Sequence, residues 1–131
     1  MTDLLLQAKD RLLAAELAYQ EADSSLNLAM TQLEVAQKDR SEAQRNFEIK
    51  TLNYSLAIQN ASNLEVQPYL SEKSLTAANH DLDVTKKEYD AAQGIKHEQE
   101  SISQAAFYTV VQAQAVYDAT KLEFDSANYD Y

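Results

Sequence analysis

The chain has 131 residues and a net charge of −10, from 21 acidic and 11 basic residues, with one glycine, one proline and no cysteine. So few turn-forming residues exclude most β and α/β folds, and the absence of cysteine excludes disulfide scaffolds, thiol catalysis and cysteine-bound metals. Residues 1–66 hold 10 acids and 6 bases, and residues 67–131 hold 11 acids and 5 bases. Because no basic stripe is present, we interpret the charge as a source of solubility and expect no direct binding to nucleic acid.

The first predicted element is a helix over about residues 3–61, which is marked by a seven-residue repeat. One position of the repeat carries mostly large residues: Leu12, Tyr19, Leu26, Leu33, Arg40, Phe47, Tyr54 and Ala61. The position three residues later carries mostly alanine: Ala15, Ala22, Ala29, Ala36, Ala43, Lys50, Ala57 and Leu64. An apolar 3–4 repeat over this many heptads is typical of a coiled coil, and we call these lines of residues the seam.

The only strong interruption of the repeat lies near the middle of the chain, where we predict a turn over residues 62–68. Ser62 and Asn63 are poor helix-interior residues, and Pro68 forbids an uninterrupted helix. The next helix begins either with Ser71 as its capping residue or with the proline in its first position.

The second predicted element is a helix over about residues 69–129 that follows the same rule. Its large seam line is Leu75, Leu82, Tyr89, Lys96, Ser103, Val110, Tyr117, Phe124 and Tyr131. Its small seam line is Ala78, Thr85, Ala92, Gln99, Ala106, Ala113, Thr120 and Ala127. A short loop between two long helices makes them antiparallel, with the C-terminal segment against Leu5, Leu12 and Tyr19. The predicted fold of residues 1–131 is therefore all-α, a single domain consisting of a long antiparallel two-helix coiled-coil hairpin.

Two polar zones, residues 37–46 and 93–104, lie roughly opposite each other in this hairpin. Arg40 occupies a seam position in the first zone, and Gly94 lies in the second. Three interpretations are open: a hinge or polar lock on the register, a continuous helix with slight local unwinding, or a break that folds the chain into a compact four-helix bundle. The first zone consists of strong helix formers without a turn residue, which disfavours the break.

No arrangement of residues typical of catalysis or cofactor binding is found. The Glu-x-x-His pairs of di-iron bundles are missing, because alanine stands three residues before His80 and glycine three residues before His97. One glycine cannot build a phosphate-binding loop, and a two-helix hairpin offers no pocket that would exclude water from a nucleophile. We therefore expect a non-enzymatic protein without catalytic, metal-binding or cofactor-binding residues.

Apolar residues also occur outside the seam, and a two-helix ribbon cannot bury all of them. They are Leu13, Leu17, Leu28, Met30, Val35, Ile49, Leu52, Leu56 and Ile58 on the first helix, and Val84, Val111 and Val116 on the second. An apolar stripe this wide needs more than one partner helix. We therefore expect a non-enzymatic interaction or scaffold protein that acts through helix–helix association. Its partner would be a second copy, giving a four-helix bundle, or another helical protein.

Aromatic residues are concentrated near the C-terminus, where six of the eleven lie within the last 25 residues. Tyrosine is enriched at interfaces, because its ring is apolar and its hydroxyl tolerates water. Tyr108 and Tyr129 fall outside the seam and are therefore available to a partner. We predict that the partner-contact residues are Phe107, Tyr108, Tyr129 and Tyr131.

Two segments resemble the helical hairpin of periplasmic adaptor (membrane fusion) proteins: LLAAELAYQEADSSLNLAMTQLEVAQKDRSEAQRNF over 12–47 and VVQAQAVYDATKLEFDSANYDY over 110–131. In that family, alanine- and glutamine-rich heptads form two long antiparallel helices that meet an outer-membrane channel. The resemblance implies an alternative function as a secretion or efflux adaptor hairpin.

A second alternative is an acidic inhibitor that occupies a nucleic-acid-binding surface. Such a mimic aligns carboxylates in place of phosphates along one face. Asp81, Asp83, Glu88 and Asp90 are clustered, although two lysines interrupt them.

The N-terminus does not read as a targeting segment. The apolar run from Leu4 to Leu6 is too short for the core of a signal peptide, and Asp3 stands where a basic residue is expected. If the chain is complete, we expect a cytoplasmic location without membrane insertion; for a fragment, this expectation does not apply.

Overall fold

The computed structural model describes residues 2–67 and 71–131, nearly all of which are helical. Helix α1 comprises Thr2–Glu65 and helix α2 comprises Glu72–Asp130, and no strand occurs among these described residues. The two helices pack against each other through rings and small side chains. The chain is therefore an all-α helical hairpin, as its sequence predicts.

Helix α1 continues further than predicted, through Ser62 and Asn63 to Glu65. Serine and asparagine cost a helix interior only about 0.5 kcal/mol each relative to alanine, so neighbouring helix formers offset them. The last turn closes where the Gln67 N–H donates to the Leu64 carbonyl over 3.2 Å. The predicted turn over residues 62–68 thus begins several residues too early.

Ser71 caps the start of α2, as one of the two predicted arrangements requires. Its Oγ accepts a hydrogen bond from the Ser74 N–H at 3.0 Å, and its carbonyl accepts one from the Leu75 N–H at 3.1 Å. The side-chain bond satisfies one of the N–H groups that lack a partner at a helix start. The start predicted at residue 69, and the alternative with Pro68 in the first position, lie outside the described residues.

The seam predicted from the heptads is the line of contact between the helices. Its most buried members are only 1–8% exposed and are Ala15, Ala22, Leu26, Ala29, Ala36, Ala43, Ala57, Ala61, Ala78, Ala92, Ser103 and Ala127. Most residues of the large line are half-buried, because alanine lets the backbones approach and leaves the rings to pack beside it. Two seam positions are exposed, contrary to the prediction. Arg40 keeps its charged group in water, and Tyr131 follows the end of α2.

Residues 2–36 and 103–131 form one compact unit, here called the first unit. The Tyr19 ring lies 5.3 Å from the Tyr117 ring and 5.5 Å from the Phe124 ring, between centroids. The Tyr19 and Tyr117 hydroxyls share a hydrogen bond of 2.9 Å. The predicted contact between the C-terminal part of α2 and the region around Tyr19 is confirmed.

Arg11 ties the end of α2 to α1 in the first unit. Its Nε donates to Glu123 Oε1 at 2.8 Å, and its Nη1 donates to Asp130 Oδ2 at 2.7 Å. The predicted packing against Leu5 is wrong, because that side chain is 58% exposed. The contact between Arg11 and Asp130 places the last residue of α2 at the level of Arg11. Leu5 lies nearly two helical turns closer to the N-terminus of α1, so α2 ends before it reaches the level of Leu5.

Residues 37–102 form the second unit. Its aromatic cluster places the Tyr89 ring 5.3 Å from both the Phe47 and the Tyr54 rings. Lys96 Nζ lies 4.7 Å from the centroid of the Phe47 ring. This cation–π contact explains how a charged residue occupies a seam position.

Both polar zones are helical throughout, so the interpretation as a break that produces a compact four-helix bundle is wrong. Gly94 lies inside α2 with no positive φ, and nothing approaches within 4 Å of where a Cβ would stand. The division between the units falls after Ala36 and after Ile102, at the edge of the first zone and inside the second. The hinge interpretation stays a prediction.

Candidate interaction surface

The side of α2 opposite the seam carries an uncharged strip in the first unit, which we call the outer stripe. One line of the stripe has a seven-residue spacing and comprises Tyr108, Ala115, Leu122 and Tyr129; the adjacent line comprises Ala105, Gln112, Ala119 and Ser126. All eight are exposed, and Tyr108, Leu122 and Tyr129 have 59%, 71% and 91% of their surface open to solvent. Although 24% of the chain is charged, no member of the stripe is, and the nearest charge shown is that of Arg11 on α1, whose Nη2 donates to Ser126 Oγ at 3.2 Å. A seven-residue spacing is nearly two helical turns, so each line runs along the helix axis.

The four predicted contact residues are all exposed. The structure brings Tyr108 and Tyr129 onto one face, three heptads apart on the outer stripe. Phe107 lies off the stripe, although its ring is edge-on to that of Tyr108 with 6.3 Å between the centroids. Tyr131 lies past the end of α2, where its N–H donates to the Ala127 carbonyl at 3.1 Å. The structure thus brings Phe107 into contact with Tyr108, whereas Tyr131 lies off the stripe.

Sequence reasoning missed Leu122 and Ala115 as surface candidates. Each lies on the heptad line that begins at Tyr108, so extending the seven-residue repeat from that tyrosine would have identified both. The aromatic count alone did not reveal this line, because neither residue is aromatic.

Both flanks of the outer stripe carry acidic residues. Asp118 and Asp125 follow one flank, with Lys121 between them and further from the stripe. Gln114 Nε2 donates to Asp118 Oδ1 at 2.9 Å. The other flank carries Val116, which is 55% exposed, followed at heptad spacing by Glu123 and Asp130, both of which pair with Arg11. A partner therefore meets acidic residues on both sides of the stripe, and those of the second flank are paired with Arg11.

All the apolar residues predicted to lie outside the seam are exposed, which confirms that prediction. They are Leu13, Leu17, Leu28, Met30, Val35, Ile49, Leu52, Leu56, Ile58, Val84, Val111 and Val116. In the second unit, Ile49, Leu52 and Leu56 follow the i, i+3, i+7 spacing of a single helix face. The hairpin thus leaves much of its apolar surface without cover.

A shallow groove of about 500 Å³ runs along one side of the first unit. Small side chains from both helices line most of it: Ala18, Ala22, Ser25, Ala29, Thr109, Ala113, Val116 and Thr120. Glu21 is the one charged residue in the lining. A polar groove of similar volume in the second unit includes Arg40, Arg45, Glu48 and Glu100, so the charges of its lining cancel.

Two polar contacts of the first unit shift pKa values. The Tyr117 hydroxyl, followed by partial burial, raises the pKa of Tyr19 above its ordinary value. The hydrogen bond from Arg11 lowers the pKa of Glu123, and the same contact, together with that to Asp130, raises the pKa of the Arg11 guanidinium. These contacts join the two helices within the first unit.

Several other ionisable residues form ion pairs. Lys87 Nζ lies 3.0 Å from Asp83, and Lys50 Nζ lies 3.2 Å from Glu88, so two carboxylates of the acidic cluster are paired. Over residues 2–67 and 71–131, no group of three or more His, Cys, Asp or Glu side chains is arranged to hold a metal ion. In the same residues, neither helix contains a stretch apolar and long enough to cross a membrane.

No family model, curated protein or solved structure matches the chain. The surfaces described above are therefore the basis for assigning a function.

Proposed function

We propose that this chain is a non-enzymatic interaction protein that acts by coiled-coil pairing of its helices with those of a protein partner. The outer stripe carries the proposal, because three large apolar side chains stand in water at heptad spacing on an uncharged face. Apolar residues at heptad spacing on one helix can pack against residues i and i+7 of a second helix that lies along the first. Small molecules are instead held in concave pockets that enclose most of their surface.

The total exposed area supports the same function. The chain exposes 9563 Å², whereas a globular monomer of its mass, 14.7 kDa, exposes about 6,900 Å². The excess of about 2,600 Å² exceeds the roughly 800 Å² that each partner contributes to a standard stable interface. Association can therefore cover a full-sized interface without any change in the hairpin.

Small residues on the side of the first unit give a second place for a helix to pack. The groove between Ala22 and Ala113 is open and nearly uncharged, so it accepts large side chains from a neighbouring helix. The exposed Leu28 and Val35 follow one another at heptad spacing on α1 of the same unit. A hairpin with several such faces is suited to holding more than one helix.

Sedimentation velocity over a range of concentrations, together with affinity capture from a lysate and mass spectrometry, tests this function. The bait is compared with a Tyr108→Ala/Tyr129→Ala variant and with Ile95→Ala, an exposed apolar change on α2 in the second unit. We expect the double variant to weaken association and Ile95→Ala to preserve it, with helix content almost unchanged in both. The proposal fails if the chain neither self-associates nor captures a protein that the double variant loses.

A further inference from the structure

We propose that the outer stripe joins two copies of this chain, with their α2 helices antiparallel about a two-fold axis near residue 117. This inference rests on the proposed function and names its partner. The stripe is about 36 Å long at about 1.5 Å per residue. A two-fold interface uses the same patch on both copies, so the stripe must be complementary to itself when its direction is reversed.

The order of residue sizes along the stripe meets this requirement. When the direction is reversed about residue 117, Leu122 faces Gln112 of the second copy, and Tyr108 faces Ser126. Tyr129 faces Ala105 in the same way, so every large side chain meets a smaller one. The residue sizes along the stripe therefore suit the antiparallel pairing of the stripe with that of a second copy.

The seam inside the hairpin already uses this pattern. Tyr19, from the large line of α1, lies between Tyr117 and Phe124 of α2 and therefore near the level of Thr120 in the small line. The outer stripe repeats the same offset between a large line and a small line. At the proposed axis Ala115 faces Ala119 of the second copy, and two small residues let the helices approach closely.

A parallel arrangement fits the same residues poorly. It would place Leu122 against Leu122 of the second copy, so that two large side chains compete for the same space. It would place Ala115 against Ala115, so that two small side chains leave a gap between the helices. It would also place the flank of Asp118 and Asp125 against the opposite flank of the second copy, so that Asp118 meets Glu123 and Asp125 meets Asp130, all four of them acidic. The antiparallel arrangement separates the two Asp125 side chains and brings only the Asp118 pair together, near the axis.

Cysteine cross-linking tests the arrangement, since the natural chain has no cysteine. We expect a mixture of Ala115→Cys and Ala119→Cys chains to form a disulfide between the two variants. Disulfides within each variant should be scarce, because four residues, or about 6 Å along the axis, separate those positions. Ala91→Cys, an exposed alanine of α2 in the second unit, is the matched control and should not cross-link. Same-site disulfides as abundant as mixed ones would overturn the antiparallel register.

Light scattering on the cysteine-free chain tests the pairing itself. We expect a dimer at high micromolar concentration, a monomer for Leu122→Glu with unchanged helix content, and a dissociation constant about two- to fivefold lower for Asp118→Asn. Asp125→Asn should change the constant less, because the proposed axis separates that pair. A monomeric natural chain, or a Leu122→Glu variant that still dimerises, would overturn the inference. A monomer that captures another protein through Tyr108 and Tyr129 would retain the proposed function and exclude the second copy.

Discussion

Replacing Phe124 by alanine should destabilise the hairpin by about 2–3 kcal/mol. The ring is half-buried in the seam and stacks on Tyr19 with 20° between the ring planes. Full burial of a phenylalanine is worth about 3–5 kcal/mol in such a substitution, and half-burial reduces this to about 2 kcal/mol. Loss of the aromatic pair increases the destabilisation by about 0.5–1.5 kcal/mol, and the better helix propensity of alanine reduces it by about 0.5 kcal/mol.

Urea unfolding followed by far-ultraviolet circular dichroism measures this change as a shift of the midpoint at constant slope. Leu17→Ala is the matched control, because that side chain is 58% exposed on α1 of the same unit. A surface change of this kind alters stability by less than about 0.5 kcal/mol. If Phe124→Ala costs no more than Leu17→Ala, the seam assignment in the C-terminal third is wrong.

Three further predictions concern the seam, the tyrosine pair and the cap. Ala22→Leu should cost about 1–3 kcal/mol by overpacking the seam, whereas Ala14→Leu on the exposed face should cost almost nothing; equal losses in urea unfolding would contradict the close approach of the helices. Because the folded-state pKa of Tyr19 is raised above its ordinary value of about 10, the stability it contributes is complete below pH 10 and is lost as the pH rises through the folded value. Melting temperatures from pH 8 to pH 11 should therefore fall more steeply for the natural chain than for Tyr117→Phe, and parallel curves would refute this. Ser71→Ala should cost about 1 kcal/mol in urea unfolding and Ser71→Asp much less, because an aspartate also caps; equal losses would count against the cap.

The seam could be predicted from the sequence because it depends only on a local repeat. A heptad of alanine and large residues needs no knowledge of distant contacts, and its positions became the buried line of both helices. The prediction was wrong at Arg40 and Tyr131. Both residues occupy seam positions of the repeat, but hydration of the charge at Arg40 and the end of α2 before Tyr131 prevent their burial. The first keeps its charge in water, and the second follows the last residue of α2.

The boundary of α1 was harder to predict than its existence. Ser62 and Asn63 carry small propensity costs, which a helix of 64 residues with a packed face absorbs. The start of α2 was better specified, because a serine cap is a side-chain hydrogen bond rather than a statistical preference. Its 3.0 Å bond to the Ser74 N–H shows this.

The candidate surface was predictable in part. Exposure of Tyr108 and Tyr129 followed from their heptad positions outside the seam, and the structure confirms that exposure. Their common line with Leu122 required a second repeat to be recognised on the opposite face of the same helix. Phe107 was selected by aromatic density alone, which says nothing about the face a residue occupies, and it lies off the stripe.

The composition of the seam links stability to association. Within the described parts of the chain, Leu26 is the one large apolar side chain that the hairpin buries, and the other apolar members of the buried set are alanines. Each alanine removes little apolar area from water at about 25 cal/mol per Å², whereas ordering a residue costs about 1–2 kcal/mol. Covering the exposed apolar faces adds the stabilisation that the seam does not supply. A dimer that unfolds to separate chains should therefore melt about 2–3 °C higher for each tenfold increase in concentration, as scanning calorimetry can measure. Leu122→Glu should remove this dependence; a melting temperature of the natural chain that is independent of concentration would refute the link.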